Sequence, residues 1–215
     1  MNIIIFGGSG FIGRRTVQIL KEQGHQVCTP DRRTFDFLHP NETAARRLLE
    51  GQDVLINCIG IMSRHAEILE TVHHHTPKQL AVWAKAAGIK RWGQLSALGA
   101  DPSQSINFVG SKGRGDDAVA QSGIPIAIAR PSVVYGRGGT SCELFIKLAR
   151  LPLLPLPEGG RFHLQPVHLA DVTEGLAKLA AQTDTGHSVI NMTGRQPLTL
   201  AEYLTILRQT LHHKP

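Results

Sequence analysis

The sequence has few of the features that mark membrane, metal and disulfide proteins. No apolar run approaches the roughly 18 residues a bilayer span needs, so no transmembrane helix is expected. There are three cysteines, Cys28, Cys58 and Cys142, far apart and two of them in apolar, strand-like runs. That pattern indicates neither a zinc site nor a disulfide framework, and it suits a reducing, cytoplasmic setting. Met1 leads straight into an apolar strand with no basic, apolar and cleavage regions, so no export signal is expected at this start. A net charge of +6 comes from basic pairs scattered along the chain, Arg14-Arg15, Arg32-Arg33 and Arg46-Arg47. These pairs form no stripe, and a nucleic-acid partner is not expected.

What the sequence does contain is a glycine-rich turn. Gly7-Gly8-Ser9-Gly10-Phe11-Ile12-Gly13 follows the apolar run Ile3–Phe6 and precedes a helix-like stretch from Arg14 to Gln23. A turn between a buried strand and a helix brings backbone N–H groups and the positive helix end up to a phosphate. In this G-x-x-G-x-x-G spacing, Gly7 permits the turn, Gly10 leaves room for a pyrophosphate and Gly13 lets helix and strand approach closely. A dinucleotide is therefore the expected ligand.

Strand-like runs recur at 2–6, 26–29, 54–59, 91–95, 124–129 and 188–191, separated by helical patterns at 11–23, 41–50, 76–87, 106–122, 141–150 and 171–181. Such alternation predicts an α/β fold with a doubly wound, mostly parallel sheet. Glycines 24, 51 and 88 punctuate the first three helices, and Thr76-Pro77 reads as a cap followed by proline at the first helical position. The length allows a single domain over 1–215. Within it, the proline- and glycine-rich segment 151–170 and the stretch 192–215, which ends in a helix, are expected to form a small substrate-side lobe. The last helix has no C-cap glycine, and the lobe is expected to be incomplete.

The motifs resemble the extended and atypical short-chain dehydrogenase/reductase superfamily over nearly the whole chain, which implies a Rossmann fold. Beside the glycine turn stand Asp36-Phe37, Asn57-Cys58-Ile59-Gly60, Ser96-Ala97-Leu98-Gly99-Ala100, Arg130-Pro131-Ser132 and Gln165-Pro166-Val167-His168. Within the superfamily the sequence is most similar to the group of the accessory NADPH-binding subunit of respiratory complex I. The resemblance places Gly7, Ser9, Gly10, Phe11, Ile12 and Gly13 at the pyrophosphate, Cys58, Ile59, Gly60 and Asp36 on the adenosine side, and Ser96, Lys112 and Pro131 around the nicotinamide. It also implies a small-molecule substrate or a protein partner. In relatives a C-terminal extension completes the lobe or attaches to a membrane, so the cytoplasmic face of a membrane is an alternative location.

Asp31, 21 residues beyond Gly10, stands where an acid would accept from the adenosine ribose of NAD, whereas Arg32 and Arg33 would bind the extra phosphate of NADP. The resemblance favours NADP over NAD. Active superfamily members place a tyrosine four residues before the lysine as proton donor, but here Phe108 precedes Lys112, and Tyr135 and Tyr203 are the only tyrosines. Phenylalanine has no ionisable proton, so Ser96 and Lys112 remain as catalytic candidates without a general acid. A structural, sensing or assembly role is expected, with an atypical NADP(H) oxidoreductase acting on a small or quinone-like substrate as the alternative. The glycines in 106–122 predict close packing or irregularity in that helix. His73-His74-His75 reads as a solvated run with no carboxylate partner and no metal, and His168 with Asp171 reads as a helix start.

Overall fold

In the computed structural model residues 1–151, 156–182 and 186–212 are described. Strand β1 (Asn2–Phe6) passes through the glycine turn into α1 (Phe11–Glu22), followed by β2 (Gln26–Cys28), α2 (Glu42–Leu49) and β3 (Val54–Asn57). Next come α3 (Ala66–Glu70), a π-helical turn (Thr71–His75), α4 (Thr76–Ala86), β4 (Arg91–Leu95), α5 (Asn107–Ala120) and β5 (Ile126–Pro131). The remainder is β6 (Val134–Tyr135), α6 (Thr140–Ala149), β7 (His163–Leu164), β8 (Val167–His168), α7 (Leu169–Ala181), β9 (Ser188–Met192), β10 (Leu198–Thr199) and α8 (Leu200–His212).

The main sheet has six strands in the order β2-β1-β3-β4-β5-β9, and each neighbouring pair is parallel. Alternation along β1 explains its burial on both sides. Ile4 and Phe6 face a core completed by Leu49 of α2, Leu80 and Ala84 of α4 and Val119 of α5. Ile3 and Ile5 face the opposite core, built with Leu20 of α1 and Val172 and Leu176 of α7. The expected doubly wound α/β sheet is therefore the observed architecture. From β1 the chain goes to β2 on one side and later returns to β3 on the other, so the strand order reverses above the carboxyl ends of β1 and β3, where such sheets form their ligand crevice. A smaller cluster joins Phe145, Leu148 and Ala149 of α6 to Leu200 and Leu204 of α8. Beside it β7 pairs with β10, and β6 pairs with β8. Among the described residues no helix is long and apolar enough to cross a membrane.

Two expectations need correcting. Thr76 does not cap a helix, because its hydroxyl donates to the carbonyl of Phe37 at 2.7 Å and the helix continues backwards through it. Pro77 lacks an N–H, and its ring crowds the carbonyl four residues earlier, that of His73. The helix meets this crowding by widening into the π turn, so residues 66–75 are helical where the sequence indicated no helix. The third predicted strand also ends early, at Asn57, leaving Cys58 and Ile59 in the following turn. The glycines of α5 act as foreseen: a Cβ at Gly115 would lie 1.8 Å from the His73 carbonyl oxygen, so only glycine lets α5 rest on the π turn.

Candidate functional site

The glycine turn fills the switch point between β1 and β3. Gly7 has φ +78°, and a Cβ there would lie 2.9 Å from the carbonyl carbon of Cys58. The Gly10 N–H donates to Gly7 O at 3.0 Å and closes the turn. At Gly13 a Cβ would stand 2.1 Å from that same Gly7 oxygen, so α1 is pressed against the turn. Gly10 caps α1 with extended backbone and no side-chain hydrogen bond. The first-turn amides of Phe11, Ile12 and Gly13 thus have no intrahelical acceptor and are available to an anion. Phe11 turns its ring towards the 136–139 segment, where a Cβ on Gly139 would lie 2.8 Å from it. Ile12 packs into the core beneath α1, and Ser9 is exposed on the turn.

Beside the turn lies a cleft of about 240 Å³ that brings together Gly7, Ser9, Asp31, Arg32, Asp36 and Ile59. Its apolar base comes from Phe6, Phe35 and Phe37, whose ring centroids are 5.3–5.6 Å apart in tilted and edge-on pairs, and Ile61 and Val72 extend the lining. Phe35, Ile61 and Val72 were not expected here; they arrive through turns that no periodic pattern announces. Asp31 Oδ1 accepts from the Thr34 N–H at 2.8 Å and from its hydroxyl at 2.7 Å, and these bonds hold the carboxyl below its ordinary value. Asp36 accepts from the Leu38 N–H at 3.0 Å and pairs with Arg32 at 3.4 Å. Both acids thus shape the 31–38 segment. Arg33 is exposed and is not part of the cleft lining.

The other end of the crevice is built on the tips of β3, β4 and β5. Asn57 accepts from the Ile59 N–H at 3.0 Å and donates to Gln94 Oε1 at 3.2 Å, which fixes the Cys58-Ile59-Gly60 turn. Lys112, only 3% exposed, donates from Nζ to Ile59 O at 2.9 Å and to Leu95 O at 3.0 Å, leaving one of its three donors without an assigned acceptor. Nζ is also the atom nearest to Gly60, 3.4 Å from the position of a Cβ there. Burial lowers the Lys112 ammonium to about 8 and pushes the neighbouring Cys58 thiol up to about 12.

The Ser96 hydroxyl donates to Asp116 Oδ2 at 2.7 Å, and Arg130 binds the same oxygen through Nε at 3.2 Å and Nη2 at 3.0 Å. Asp116 Oδ1 is buried without a partner, and desolvation raises this carboxyl. Pro131, beside Arg130, accepts from the Leu98 N–H at 2.9 Å. Phe108 stands edge-on to the His73 ring at 5.4 Å. His73 is 1% exposed, which corrects its assignment to a solvated run. Its Nε2 accepts from the Ile61 N–H at 3.2 Å and its Nδ1 meets Ser111 Oγ at 3.0 Å, while that hydroxyl donates to Phe108 O. The ring is therefore a neutral brace between the β3 turn and α5, and burial lowers it to about 3. Tyr135 lies against His168 at 5.2 Å and Tyr203 against Phe145 at 5.4 Å, both on the lobe side. His168 caps α7 by accepting from the Ala170 N–H at 3.3 Å.

Sequence reasoning missed Asp116, although it lies four residues after Lys112 and so near it on the helix. It also missed the brace role of His73 and the Asn57–Gln94 pair. One measurable consequence concerns Lys112. Between about 8 and the ordinary 10.5, the unfolded chain holds a proton that the folded protein has released, so stability rises with pH across that window. The total rise is about 3 kcal/mol. Urea midpoints taken from pH 7.5 to 10.5 are expected to carry this contribution in the unmodified protein and to lack it in Lys112→Met; identical profiles would refute it.

The family model for the NAD dependent epimerase/dehydratase family matches residues 3–105. Over 208 residues the chain is 30% identical to NADH dehydrogenase [ubiquinone] 1 alpha subcomplex subunit 9, mitochondrial, of Arabidopsis thaliana, covering 86% of this chain and 51% of that protein. It is 32% identical to the ceramide reductase of Caulobacter vibrioides, covering 83% of this chain and 60% of the other. The chain thus spans about half the length of the curated relatives it matches. Among solved structures, MoeE5 in complex with UDP-glucose and NAD superposes with a TM-score of 0.82 at 15% identity, over 99% of this chain and 82% of that one. The dTDP-4-dehydrorhamnose reductase of Bacillus anthracis in complex with NADP gives 0.81 at 15% identity, over 99% and 81%. A parallel sheet reversing its order at the first crossover, a glycine turn pressed onto that reversal and relatives of this kind agree on one likeness: over residues 3–105 the chain matches the NAD dependent epimerase/dehydratase family, and its Rossmann fold and sequence relatives are those of the extended short-chain dehydrogenase/reductase superfamily.

Proposed function

We propose that the protein binds NADP(H) in preference to NAD(H) and uses the bound nucleotide in a structural, sensing or assembly role, without the tyrosine-based turnover of a dehydrogenase. The observation that carries this reading is the state of the catalytic positions. Phe108 offers no proton, and the Ser96 hydroxyl donates to Asp116 and not towards an open site. Losing a positioned proton donor typically removes about 10²–10⁴-fold in rate. Lys112 keeps one donor for a ribose hydroxyl, and the amides of the Gly7–Gly13 turn take the pyrophosphate. Phe11 and Ile12 flank it, Cys58, Ile59 and Gly60 line the adenosine ribose side, and Ser96, Lys112 and Pro131 surround the nicotinamide end.

The preference for NADP rests on the 31–36 segment. Asp31 has one oxygen engaged by Thr34, so it is a poorer partner for a ribose hydroxyl than its position in the sequence suggests. Arg32 in the cleft and Arg33 beside it supply charge for a 2′-phosphate. In this reading residues 1–215 act as one dinucleotide-binding domain, with the described parts of 151–170 and 192–215 forming, together with α6, a lobe on the substrate side, while 152–155 and 213–215 lie outside the described residues. The complex I relatives suggest a protein partner. Free Cys28, Cys58 and Cys142 suit a reducing, cytoplasmic setting.

A second reading, an atypical reductase, is favoured by the similarity to a protein named ceramide reductase. Two measurements test the proposal, the first its cofactor and the second its role against the reductase reading. In thermal-shift titrations NADPH is expected to stabilise the protein by RT ln(1 + [L]/Kd), about 2.7 kcal/mol at a hundredfold excess over Kd, and NADH less. Equal or null shifts would reject the cofactor assignment. NADPH oxidation with aldehyde and quinone substrates is expected to stay at background, and robust turnover by the unmodified protein would establish the reductase instead.

A further inference from the structure

Glu70, His74 and His75 take no part in the dinucleotide site, and the π turn brings them together. In an α-helix residues three and four apart share a face, whereas the hydrogen bonds of a π turn run from residue i to i+5 and bring a fifth residue round as well. Glu70 thereby meets His74, four residues on, and His75, five residues on. One ligand atom from each, a carboxylate oxygen and two imidazole nitrogens, lies within 4.8 Å of the others. His74 Nδ1 is 3.2 Å from Glu70 Oε2, and the rings of His74 and His75 lie 4.7 Å apart at 32°. The carboxylate partner missing from the sequence reading is thus supplied by the widened turn.

We propose that this turn is a site for a borderline divalent first-row cation of the Zn²⁺ type, with Glu70, His74 and His75 as the protein ligands and water completing the shell. The donor set decides the class, since two imidazoles and one carboxylate suit Zn²⁺, Co²⁺ or Ni²⁺, whereas Ca²⁺ and Mg²⁺ require mainly oxygen. The carboxylate is already oriented. Arg114 binds Glu70 Oε1 through Nη2 and straddles both oxygens with Nε at 3.1 Å, while its Nη1 is anchored on Pro102 O at 2.8 Å. Oε2 is the oxygen turned towards His74, and the cation takes the place of the proton between them. An outer partner that fixes a ligating carboxylate in this way is a usual part of metal sites. The turn is also held from behind, by His73 on Ser111 and by the contact of Gly115 with the His73 carbonyl. Four-coordinate Zn²⁺ needs ligand atoms roughly 3.3 Å apart at bonds of about 2.0–2.1 Å, and rotation of the exposed His75 ring can close that gap.

The test is titration of the whole chain with Co²⁺ alone, followed in the visible region. One equivalent is expected to bind with a d–d band that Zn²⁺ displaces. His75→Gln and His74→Gln are each expected to weaken Co²⁺ binding by about tenfold or more, whereas replacing the tail histidines 212 and 213 leaves it unchanged. Melting in EDTA shows whether each variant folds; His75, exposed and without a core contact, is the variant whose fold is least at stake. No stoichiometric binding, unaltered affinity in both His74→Gln and His75→Gln, or loss only with the tail substitutions would each overturn the proposal. NADPH affinity is expected to be the same in His75→Gln, which keeps this result separate from the dinucleotide reading.

Discussion

Gly13→Ala is expected to abolish measurable dinucleotide binding while the sheet still forms. The added methyl would sit 2.1 Å from Gly7 O, 2.9 Å from Gly7 C and 3.0 Å from Gly8 Cα, all of them backbone atoms that no side-chain rotation can clear. Either α1 lifts off the turn or the turn opens, and both move the amides of Phe11 and Ile12 away from the position proposed for the pyrophosphate. A Kd raised by more than about 100-fold corresponds to about 2.8 kcal/mol of lost binding energy. Overpacking is expected to cost a further 1–3 kcal/mol or so of stability. Calorimetric titration with NADPH beside a urea melt separates the two effects. An affinity within about threefold of the parent would show that the turn is not where the diphosphate sits.

The second large effect is expected at Arg130→Met. Asp116 is 1% exposed, and its Oδ2 is held by Arg130 and Ser96 while Oδ1 has no partner. Without the guanidinium, a carboxylate is left buried with one hydroxyl donor and the nearby Lys112. Breaking a buried pair from one side typically costs about 3–5 kcal/mol. The loss should depend on pH. The folded-state value of Asp116 is already above 3.8, and removing Arg130 raises it further. Stability is then fully present below the ordinary carboxylate value and is lost as pH rises through the raised one, so the variant is expected to be less impaired at pH 5 than at pH 7.5. Adding Asp116→Leu should recover part of the loss. A double variant no more stable than Arg130→Met would mean that the pair is not what the site depends on.

How far the sequence could be read follows the range of the interactions. The β1–turn–α1 unit was legible because its glycines act on neighbours a few residues away, and the six sheet strands were legible because each is a short apolar run between turns. Lys112 and Phe108 could be placed only through the resemblance to the superfamily, whose tyrosine and lysine stand four residues apart. Asn57 and Gln94 are 37 residues apart and meet only through strand register, so neither signals its role alone. Asp31 stood at the expected offset from Gly10, but its bonds to Thr34 depend on a local turn that replaces any further strand beyond β2. The helix over 66–75 was missed because Pro77 ordinarily begins or ends a helix, and here packing against α5 and Phe37 carries the helix past it.

The same turn constrains chain length. A π turn holds one residue more than a regular helix of equal rise, and because its wider ring turns less per residue it leaves the helices on either side in nearly their ordinary relative rotation. Deleting one residue between 71 and 75 would therefore restore ordinary winding with α3 and α4 still facing the same way, and Leu69, 3% exposed, would keep its place in the core. What would be lost is the widening itself: the ring of Pro77 would again crowd the carbonyl four residues before it, and the His73 carbonyl on which Gly115 rests would move. Single replacements at the exposed His75 should therefore be borne easily, whereas a one-residue deletion there should lower stability while the sheet still forms.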